Sequence, residues 1–155
     1  MVTMSSEKII KFMELAIGQA QKASKAQEVP VGAILIDTDG NIIARAHNCP
    51  ISSQDPTAHA EIVAIREAAE KINNYRLSGT TMFVTLEPCL MCAGALVWAR
   101  VEKLFFGASD PKSGAFGSVI DINRLPGINH RIKAVGGILE EKCAFILKEF
   151  FQKRR

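Results

Sequence analysis

The fold is decided by residues 81–106, TMFVTLEPCLMCAGALVWARVEKLFF. This stretch predicts a short β-strand over residues 81–85, a helix from Pro88 to about Arg100, and a further strand over residues 103–106. Proline suits the first helical position, because the N–H groups of a helix's first turn have no partners within the helix. A strand, a helix and a strand in this order predict two parallel strands joined by a crossover helix.

The elements on either side of this stretch extend the same pattern. They are a helix over residues 5–26, strands over 31–36 and 42–46 joined by a turn at 37–41, a helix from Asp55 to about Ile72, a polar Gly-rich loop over 109–118, a strand over 132–135 and a helix over 140–155. This order predicts a single domain over residues 1–155. We expect a three-layer α/β/α architecture whose mixed five-stranded sheet is mostly parallel after the first hairpin.

The composition excludes several classes of protein. The chain has 155 residues, of which 48% are apolar and 23% are charged, and these shares are typical of a globular domain. Its longest uncharged apolar run, residues 89–99, is too short to cross a bilayer, so we expect no membrane partner. Glu7 and Lys8 open an amphipathic segment where a signal peptide would have its apolar block. These features predict a cytoplasmic protein whose thiols stay reduced.

Basic residues are concentrated toward the C terminus. From Arg124 onward there are eight Lys or Arg residues against three Asp or Glu, and the chain ends Lys153-Arg154-Arg155. One interpretation is a solvated helix end whose cations suit the helix dipole. The other is a patch that binds phosphates.

Metal-ligating residues lie at two predicted helix starts. Cys89 and Cys92 are three residues apart, so they share one face of a first turn where the helix dipole stabilises thiolates. Together with His59 they supply three ligands for Zn²⁺ and leave a fourth tetrahedral position for water, as in catalytic sites. Glu61 is the predicted base. Since residues two apart in a regular helix face nearly opposite ways, His59 and Glu61 converge only in an irregular first turn.

Each of these motifs has a simpler explanation when taken alone. A Cys-x-x-Cys pair in an α/β protein is also typical of thioredoxin-like redox sites. A structural zinc site could recruit Cys49 or His47 as its fourth ligand. A redox pair needs neither His59 nor Glu61, and a closed structural site does not need Glu61. The combination therefore favours an open, catalytic zinc site.

The two helix starts resemble the signature of the cytidine/deoxycytidylate deaminase superfamily, which pairs His-x-Glu with Pro-Cys-x-x-Cys. Within it, nearly the whole chain is similar to the bacterial tRNA-specific adenosine deaminase family. The other motifs that carry this similarity are Glu28-Val29-Pro30-Val31-Gly32-Ala33, Asp55-Pro56-Thr57-Ala58, Asn74-Tyr75-Arg76-Leu77, Val84-Thr85-Leu86-Glu87, Phe106-Gly107-Ala108, Gly117-Ser118, Asn129-His130-Arg131 and the helix with Phe150-Phe151. Trp98 and the two residues after it are also similar to guanine deaminases of the superfamily.

The resemblance implies a cytidine-deaminase-like fold and one Zn²⁺ per subunit, held by His59, Cys89 and Cys92. It implies that Glu61 is the catalytic acid and base in converting adenosine to inosine, with release of ammonia. The implied substrate is the wobble position of a tRNA anticodon loop. The resemblance also implies a homodimer, and the interface candidates, which could equally be core residues, are Met91, Leu96, Val97 and Trp98.

Five further residues are expected to bind the substrate: Asn48, Asp110, Lys112, Phe151 and Arg154. Asn48 corresponds to the family's base-contacting asparagine, and its alternative is a turn residue. Asp110 corresponds to a residue near a flanking ribose, and its alternative is an Asx turn. The lysine and the arginine are either phosphate contacts or solubilising charges. Of Phe150 and Phe151, we expect one in the core and the other at most at the RNA edge.

Two other functions stay open at this point. A small-molecule nucleobase deaminase acting on guanine or cytosine would share the zinc site but would need no basic C terminus. A catalytically inactive zinc module could simply hold RNA. Glu61 argues against the inactive module, because a scaffold has no use for an acid beside an open zinc position.

Overall fold

The computed structural model describes residues 3–154. The helices are α1 (Ser6–Lys25), α2 (Pro50–Ser53), α3 (Ala60–Ile72), α4 (Leu90–Ala99) and α5 (Glu140–Lys153), and the strands are β1 (Gly32–Ile36), β2 (Ile42–His47), β3 (Thr81–Leu86), β4 (Lys103–Ala108) and β5 (Lys133–Val135). Arg155, the last residue of the predicted basic tail, lies outside the described residues. Among residues 3–154, no helix is both long and apolar enough to cross a membrane.

The strands form one mixed sheet in the order β2-β1-β3-β4-β5. β1 pairs antiparallel with both β2 and β3, whereas β3, β4 and β5 run parallel. Helix α4 is the crossover that joins the parallel strands β3 and β4. The predicted five-stranded mixed sheet is therefore confirmed.

Helices cover both faces of the sheet, and the alternation of side chains along β1 shows how. Ile34 and Ile36 point into a cluster formed with α1 and α5, while Ala33 and Leu35 point into the cluster formed with α3 and α4. Every residue of β1 is buried. Because successive side chains of a strand face opposite sides, a strand covered on both faces is apolar throughout. The predicted three-layer α/β/α architecture follows.

Two helices begin later than the sequence predicts. Helix α3 begins at Ala60 rather than Asp55, because the Asp55 carboxylate accepts hydrogen bonds from the backbone N–H (2.9 Å) and hydroxyl (2.7 Å) of Thr57 and holds a turn. Helix α4 begins at Leu90 rather than Pro88. The short helix α2 between β2 and α3 was not predicted at all. The residues just before these two helices, His59 and Cys89, have an extended backbone. The positions of their side chains in the functional site depend on that conformation.

The exposed side of α4 differs from the predicted interface. Leu96 and Val97 are buried in the core beneath the sheet, so the core alternative is correct for both. Met91 and Trp98 are exposed, and Trp98 keeps 76% of its surface accessible. Leu90, which the sequence analysis did not select, is exposed beside them.

Helix α1 approaches β1 so closely that only glycine fits at the contact. A Cβ atom on Gly32 would overlap with the carbonyl oxygen of Ala16 and the backbone nitrogen of Ala20, both in α1. These backbone atoms belong to a regular helix and have no freedom to move aside. The first strand is thus fixed against the α1 layer at this position.

Replacing Gly32 with alanine should lower the free energy of unfolding by about 3 kcal/mol, because the new methyl group collides with helix backbone. The matched control is Gly18→Ala, in the middle of α1, where an added Cβ meets nothing within 4 Å. That control should raise stability by about 0.5–1 kcal/mol through helix propensity. Urea unfolding of the two variants and the parent measures both effects. Equal midpoints for the two variants would contradict the close packing of α1 on β1.

Candidate active site

Three metal-ligating side chains converge where α3 and α4 begin. His59 immediately precedes α3, Cys89 immediately precedes α4, and Cys92 lies in the first turn of α4. The His59 Nδ1 atom lies 3.7 Å from the Cys89 sulfur and 3.5 Å from the Cys92 sulfur. The three ligand atoms lie within 4.8 Å of one another. The structure therefore brings together the set that the sequence predicts.

The geometry of this group fits a zinc ion. With Zn–S bonds of about 2.3 Å and a Zn–N bond of about 2.0–2.1 Å, the N···S edges of a regular tetrahedron are about 3.6 Å long. The two observed N···S separations bracket that value. Within residues 3–154, neither Cys49 nor His47 belongs to the group. The donor set is thus two cysteine sulfurs and one imidazole nitrogen, and three protein ligands leave one tetrahedral position open.

The two thiols differ in acidity. A hydrogen bond from Cys92 and another shared with His59 lower the pKa of Cys89 to about 4, against the opposing effect of burial. The same contact with Cys89, together with burial, raises the pKa of Cys92. The pair lies at the positive end of α4, which favours the thiolate form of a cysteine, and a thiolate is the form that binds a metal cation.

Glu61 is buried beside the three ligands in the first turn of α3. Burial raises the pKa of its carboxyl to about 7, although the neighbouring His59 opposes this. His59 has an extended backbone (φ −69°, ψ 155°) and is not part of the helix, so the 100° rotation per residue does not separate the two side chains. A carboxyl group with a pKa near neutrality can both accept and donate a proton during one reaction.

Asn48 is fixed against the start of α3. Its buried Oδ1 accepts a hydrogen bond of 2.7 Å from the backbone N–H of Ala60, the first residue of the helix. This bond determines the orientation of the amide, because only the oxygen can accept from a backbone N–H. The Nδ2 donor is then the part of the side chain left for a ligand. Base contact by Asn48 stays a prediction, and its role in anchoring the loop is now visible.

A buried carboxylate that the sequence analysis did not select holds the neighbouring segment. Glu28 accepts hydrogen bonds from the backbone N–H groups of Ile51 (3.2 Å) and Ser52 (2.7 Å) in α2. Burial raises its pKa, but these donors outweigh that effect and the pKa is lowered. The signal in the sequence was an acidic residue directly before the apolar run Val29-Pro30-Val31. Such a residue is either solvated or held by donors from another segment.

Asp110 and Lys112 lie together in the loop of residues 109–118. The Asp110 carboxylate accepts hydrogen bonds from the backbone N–H groups of Lys112 (3.0 Å) and Ser113 (3.2 Å), so it forms the Asx turn that was its alternative role. The Lys112 side chain is exposed. Contacts of these two residues with a substrate remain predictions.

The C-terminal residues divide between the core and the surface. Phe150 is buried and Phe151 is 48% exposed, as expected for one core and one peripheral aromatic. The Arg154 guanidinium donates a 2.7 Å hydrogen bond to the Gln27 carbonyl and lies 4.4 Å from the centre of the Phe150 ring. Lys153 pairs with Glu149 at 3.8 Å. Arg154 thus ties the end of α5 to the end of α1, and its RNA contact, like that of Phe151, stays a prediction.

The fold and the site define a deaminase. The family model described as MafB19-like deaminase matches residues 7–155. A tRNA-specific adenosine deaminase of Haemophilus influenzae is 49% identical over 145 residues, which cover 94% of this chain and 84% of that protein. The corresponding protein of Bacillus subtilis is 47% identical over 93% of this chain and 89% of its own length. The chain belongs to the tRNA-specific adenosine deaminase family within the deaminases.

Solved structures support the same assignment. A structure from a study of A-to-I editing by tRNA:A34 deaminases superposes with a TM-score of 0.86 at 44% identity, covering 88% of this chain and 99% of that one. A guanine deaminase of Bacillus subtilis superposes with a TM-score of 0.62 at 38% identity, covering 68% of this chain and 66% of that one. The likeness to the guanine enzyme is shorter and less close.

We expect the purified protein to hold one Zn²⁺ per chain, and Cys92→Ser or His59→Ala to abolish stoichiometric binding, because each removes one of only three protein ligands. Elemental analysis after dialysis measures the metal content. The matched control is Cys49→Ser, which changes a free, half-buried cysteine outside the ligand group and should leave the zinc content unchanged. Loss of zinc from the Cys49 variant would indicate a closed, four-ligand structural site instead.

Proposed function

We propose that this protein is a zinc-dependent hydrolase that converts adenosine to inosine at the wobble position of a tRNA anticodon, with release of ammonia. The observation that carries the proposal is the buried Glu61 carboxyl packed against the three-ligand group of His59, Cys89 and Cys92. The substrate part of the proposal is supported by relatives named tRNA-specific adenosine deaminases at 44–49% identity. The class of reaction follows from the site, and the substrate follows from the family.

The chemistry divides between the metal and Glu61. A zinc ion held by His59, Cys89 and Cys92 would act as a Lewis acid and make a water molecule nucleophilic near neutral pH. The Glu61 carboxylate accepts a proton from the water that attacks C6 of adenine and delivers it to N1. It then takes the proton of the new hydroxyl on C6 and gives it to the amino group. The C6–N bond breaks, ammonia leaves, and the C6 carbonyl of inosine forms. A pKa near 7 suits a group that must act first as base and then as acid.

The residues around the ligand group suit a nucleotide in a splayed loop. The Asn48 Nδ2 group is a free donor for a purine edge, since its oxygen is bonded to Ala60. Asp110 and Lys112 would contact the ribose and phosphate of a flanking nucleotide, with Phe151 and Arg154 further along the stem. An anticodon loop suits this arrangement, because loop bases unstack at a cost of only a few kcal/mol whereas a base inside a duplex cannot reach the metal.

The proposal includes a homodimer that works in the cytoplasm. Leu90, Met91 and Trp98 form an exposed apolar patch on α4, and Met91 directly precedes the proposed zinc ligand Cys92. At 100° per residue the three side chains lie within about 100° of one another, so they share one side of the helix, and a patch of this kind is typical of a protein interface. A dimer through this surface would bring a neighbouring subunit close to the active site. All four cysteines are free, in keeping with a reducing compartment.

Glu61→Gln should reduce turnover by about 10⁴-fold, because the amide keeps the shape of the side chain but cannot relay protons. Zinc content and RNA binding should stay close to those of the parent. The matched control is Glu70→Gln, an exposed carboxylate on the same helix, which should retain full activity. Inosine formation in a synthetic anticodon stem-loop with adenosine at the wobble position, read by mass spectrometry, measures the rates.

The same assay tests the substrate. The parent protein should form inosine in the stem-loop and leave free guanine and free cytosine unchanged. Deamination of free guanine with no inosine in the RNA would replace the proposal with a small-molecule deaminase. A parent-like rate for the Glu61 variant at full zinc occupancy would show that another group relays the protons.

Removing residues 153–155 should weaken RNA binding and flatten its salt dependence, if these cations contact phosphates. Each phosphate contact contributes about 0.7–0.9 to the slope of log K against log salt, so two or three lost contacts flatten the slope by about two units. Binding at several salt concentrations measures the slope. Lys71→Ala is the control, because Lys71 lies at the far end of α3, about 16.5 Å along the helix axis from its first residue.

The structure also defines the opposite outcome. Arg154 bonds to Gln27 and Lys153 pairs with Glu149, so the truncation removes contacts within the protein as well. If these contacts are the tail's whole role, the truncated protein unfolds at lower urea concentration while its salt slope equals that of the parent. That result would assign the phosphate contacts to other surfaces, such as the loop with Lys112.

A further inference from the structure

The carboxylate of Glu87 is buried without a cation. It is 2% exposed, lies two residues before the ligand Cys89, and makes no ion pair within the described part of the chain. A buried carboxylate costs several kcal/mol unless it is paired or fully hydrogen-bonded. Its hydrogen-bond partners therefore indicate the role of the residue.

All the hydrogen-bond partners of the Glu87 carboxylate come from one loop. Its two oxygens accept hydrogen bonds from the backbone N–H groups of Asp110 (3.1 Å), Phe116 (3.0 Å) and Ser118 (3.1 Å), and from the Ser118 hydroxyl. The loop of residues 109–118 is thus wrapped around one carboxylate. Since an ionised carboxylate is an acceptor only, four converging donors suit it, whereas an amide would place its own N–H groups against some of them.

The sequence of the loop permits this close approach at one point. A Cβ atom on Gly114 would overlap with the carboxyl carbon and both oxygens of Glu87. Beside it, Gly114 forms an isolated antiparallel bridge with Cys89, and Ala115 donates a 2.9 Å hydrogen bond to the Pro88 carbonyl. The loop is therefore held both by the carboxylate and by the backbone that leads into α4.

The loop carries two of the predicted substrate contacts. Asp110 donates its own N–H to Glu87, and its side chain then organises the turn that presents Lys112. The loop buries little apolar surface of its own: Ala115 is buried and Phe116 is partly buried. Hydrogen bonds to Glu87 therefore help to fix where Asp110 and Lys112 lie relative to the zinc ligands.

We propose that Glu87 is a positioning residue for the nucleic-acid substrate, which acts by holding the 109–118 loop in register with the metal site. This inference rests on the proposed function. In the described part of the chain the Glu87 carboxylate hydrogen-bonds only to this loop, so its proposed effect is to fix the position of the residues that would meet the nucleotide beside the target adenosine. Contacts of this kind contribute equally to ground-state and transition-state binding, so their loss raises KM and spares kcat.

The test compares Glu87→Gln with the parent on the anticodon stem-loop. We expect KM to rise about tenfold, as for a substrate-binding group that has lost its fixed position, while kcat changes by less than about threefold. Zinc content should stay at the parent level. Glu70→Gln removes an exposed carboxylate by the same substitution and should leave KM unchanged.

Two further variants keep the test valid if Glu87→Gln folds poorly. Ser118→Ala removes only the hydroxyl donor and should raise KM by about two- to fivefold. Gly114→Ala leaves the carboxylate intact but forces the loop away from it, and should reproduce the KM increase of Glu87→Gln. Unchanged KM in both would overturn the proposal. Loss of zinc with an unchanged KM would also overturn it, because Glu87 would then serve the metal site.

Amide hydrogen exchange separates this proposal from the proposed function. In Glu87→Gln the amides of Asp110, Phe116 and Ser118 should exchange faster than in the parent, whatever the substrate proves to be. If the parent does not act on the stem-loop, the proposed function fails. Faster amide exchange in Glu87→Gln would still show that Glu87 holds the loop in place. If those amides exchange at parent rates, the loop is held by other contacts and the positioning role is wrong.

Discussion

The site exists because α3 and α4 begin side by side on the same face of the sheet, each preceded by one extended residue. Those two residues, His59 and Cys89, project toward each other instead of following the helical spiral. Cys89 comes within three residues of the end of β3, and ligand sites in α/β folds lie at such carboxyl ends of strands. The positive ends of both helices face the sulfur ligands, which favours thiolate there and so favours a bound cation.

Glu28, Glu61 and Glu87 are all buried, but their surroundings give them two different roles. Glu28 and Glu87 are surrounded by N–H and O–H donors from single segments, and those donors lower their pKa values despite burial. Glu61 is as deeply buried but burial prevails, and its pKa is raised to about 7. The first two stay ionised and hold loops, whereas the third can exchange protons. The difference lies in the balance between burial and donors: donors outweigh burial at Glu28 and Glu87, and burial outweighs donors at Glu61.

The layer of α1 and α5 supports this arrangement from the opposite face. It contributes none of His59, Glu61, Cys89 or Cys92. Its contacts are close: a Cβ on Gly107 in β4 would overlap with the Cys143 side chain in α5, as one on Gly32 would with α1. Tight packing on that side keeps the sheet rigid, and a rigid sheet keeps the two helix starts in register.

By itself the sequence determined the layer order and the mixed sheet, and it singled out His59, Cys89 and Cys92 as a candidate metal-binding group. Apolar runs, turn residues and Cys-x-x-Cys spacing are all written in neighbouring residues. Tertiary structure alone decided the true starts of α3 and α4, the division of α4 between core and surface, and the roles of Glu28 and Glu87. The hydrogen-bond partners of these two glutamates lie more than twenty residues away from them along the chain. Hydrogen bonds between segments so distant leave no periodic trace in a sequence, so only the folded chain shows which donors meet a buried acid.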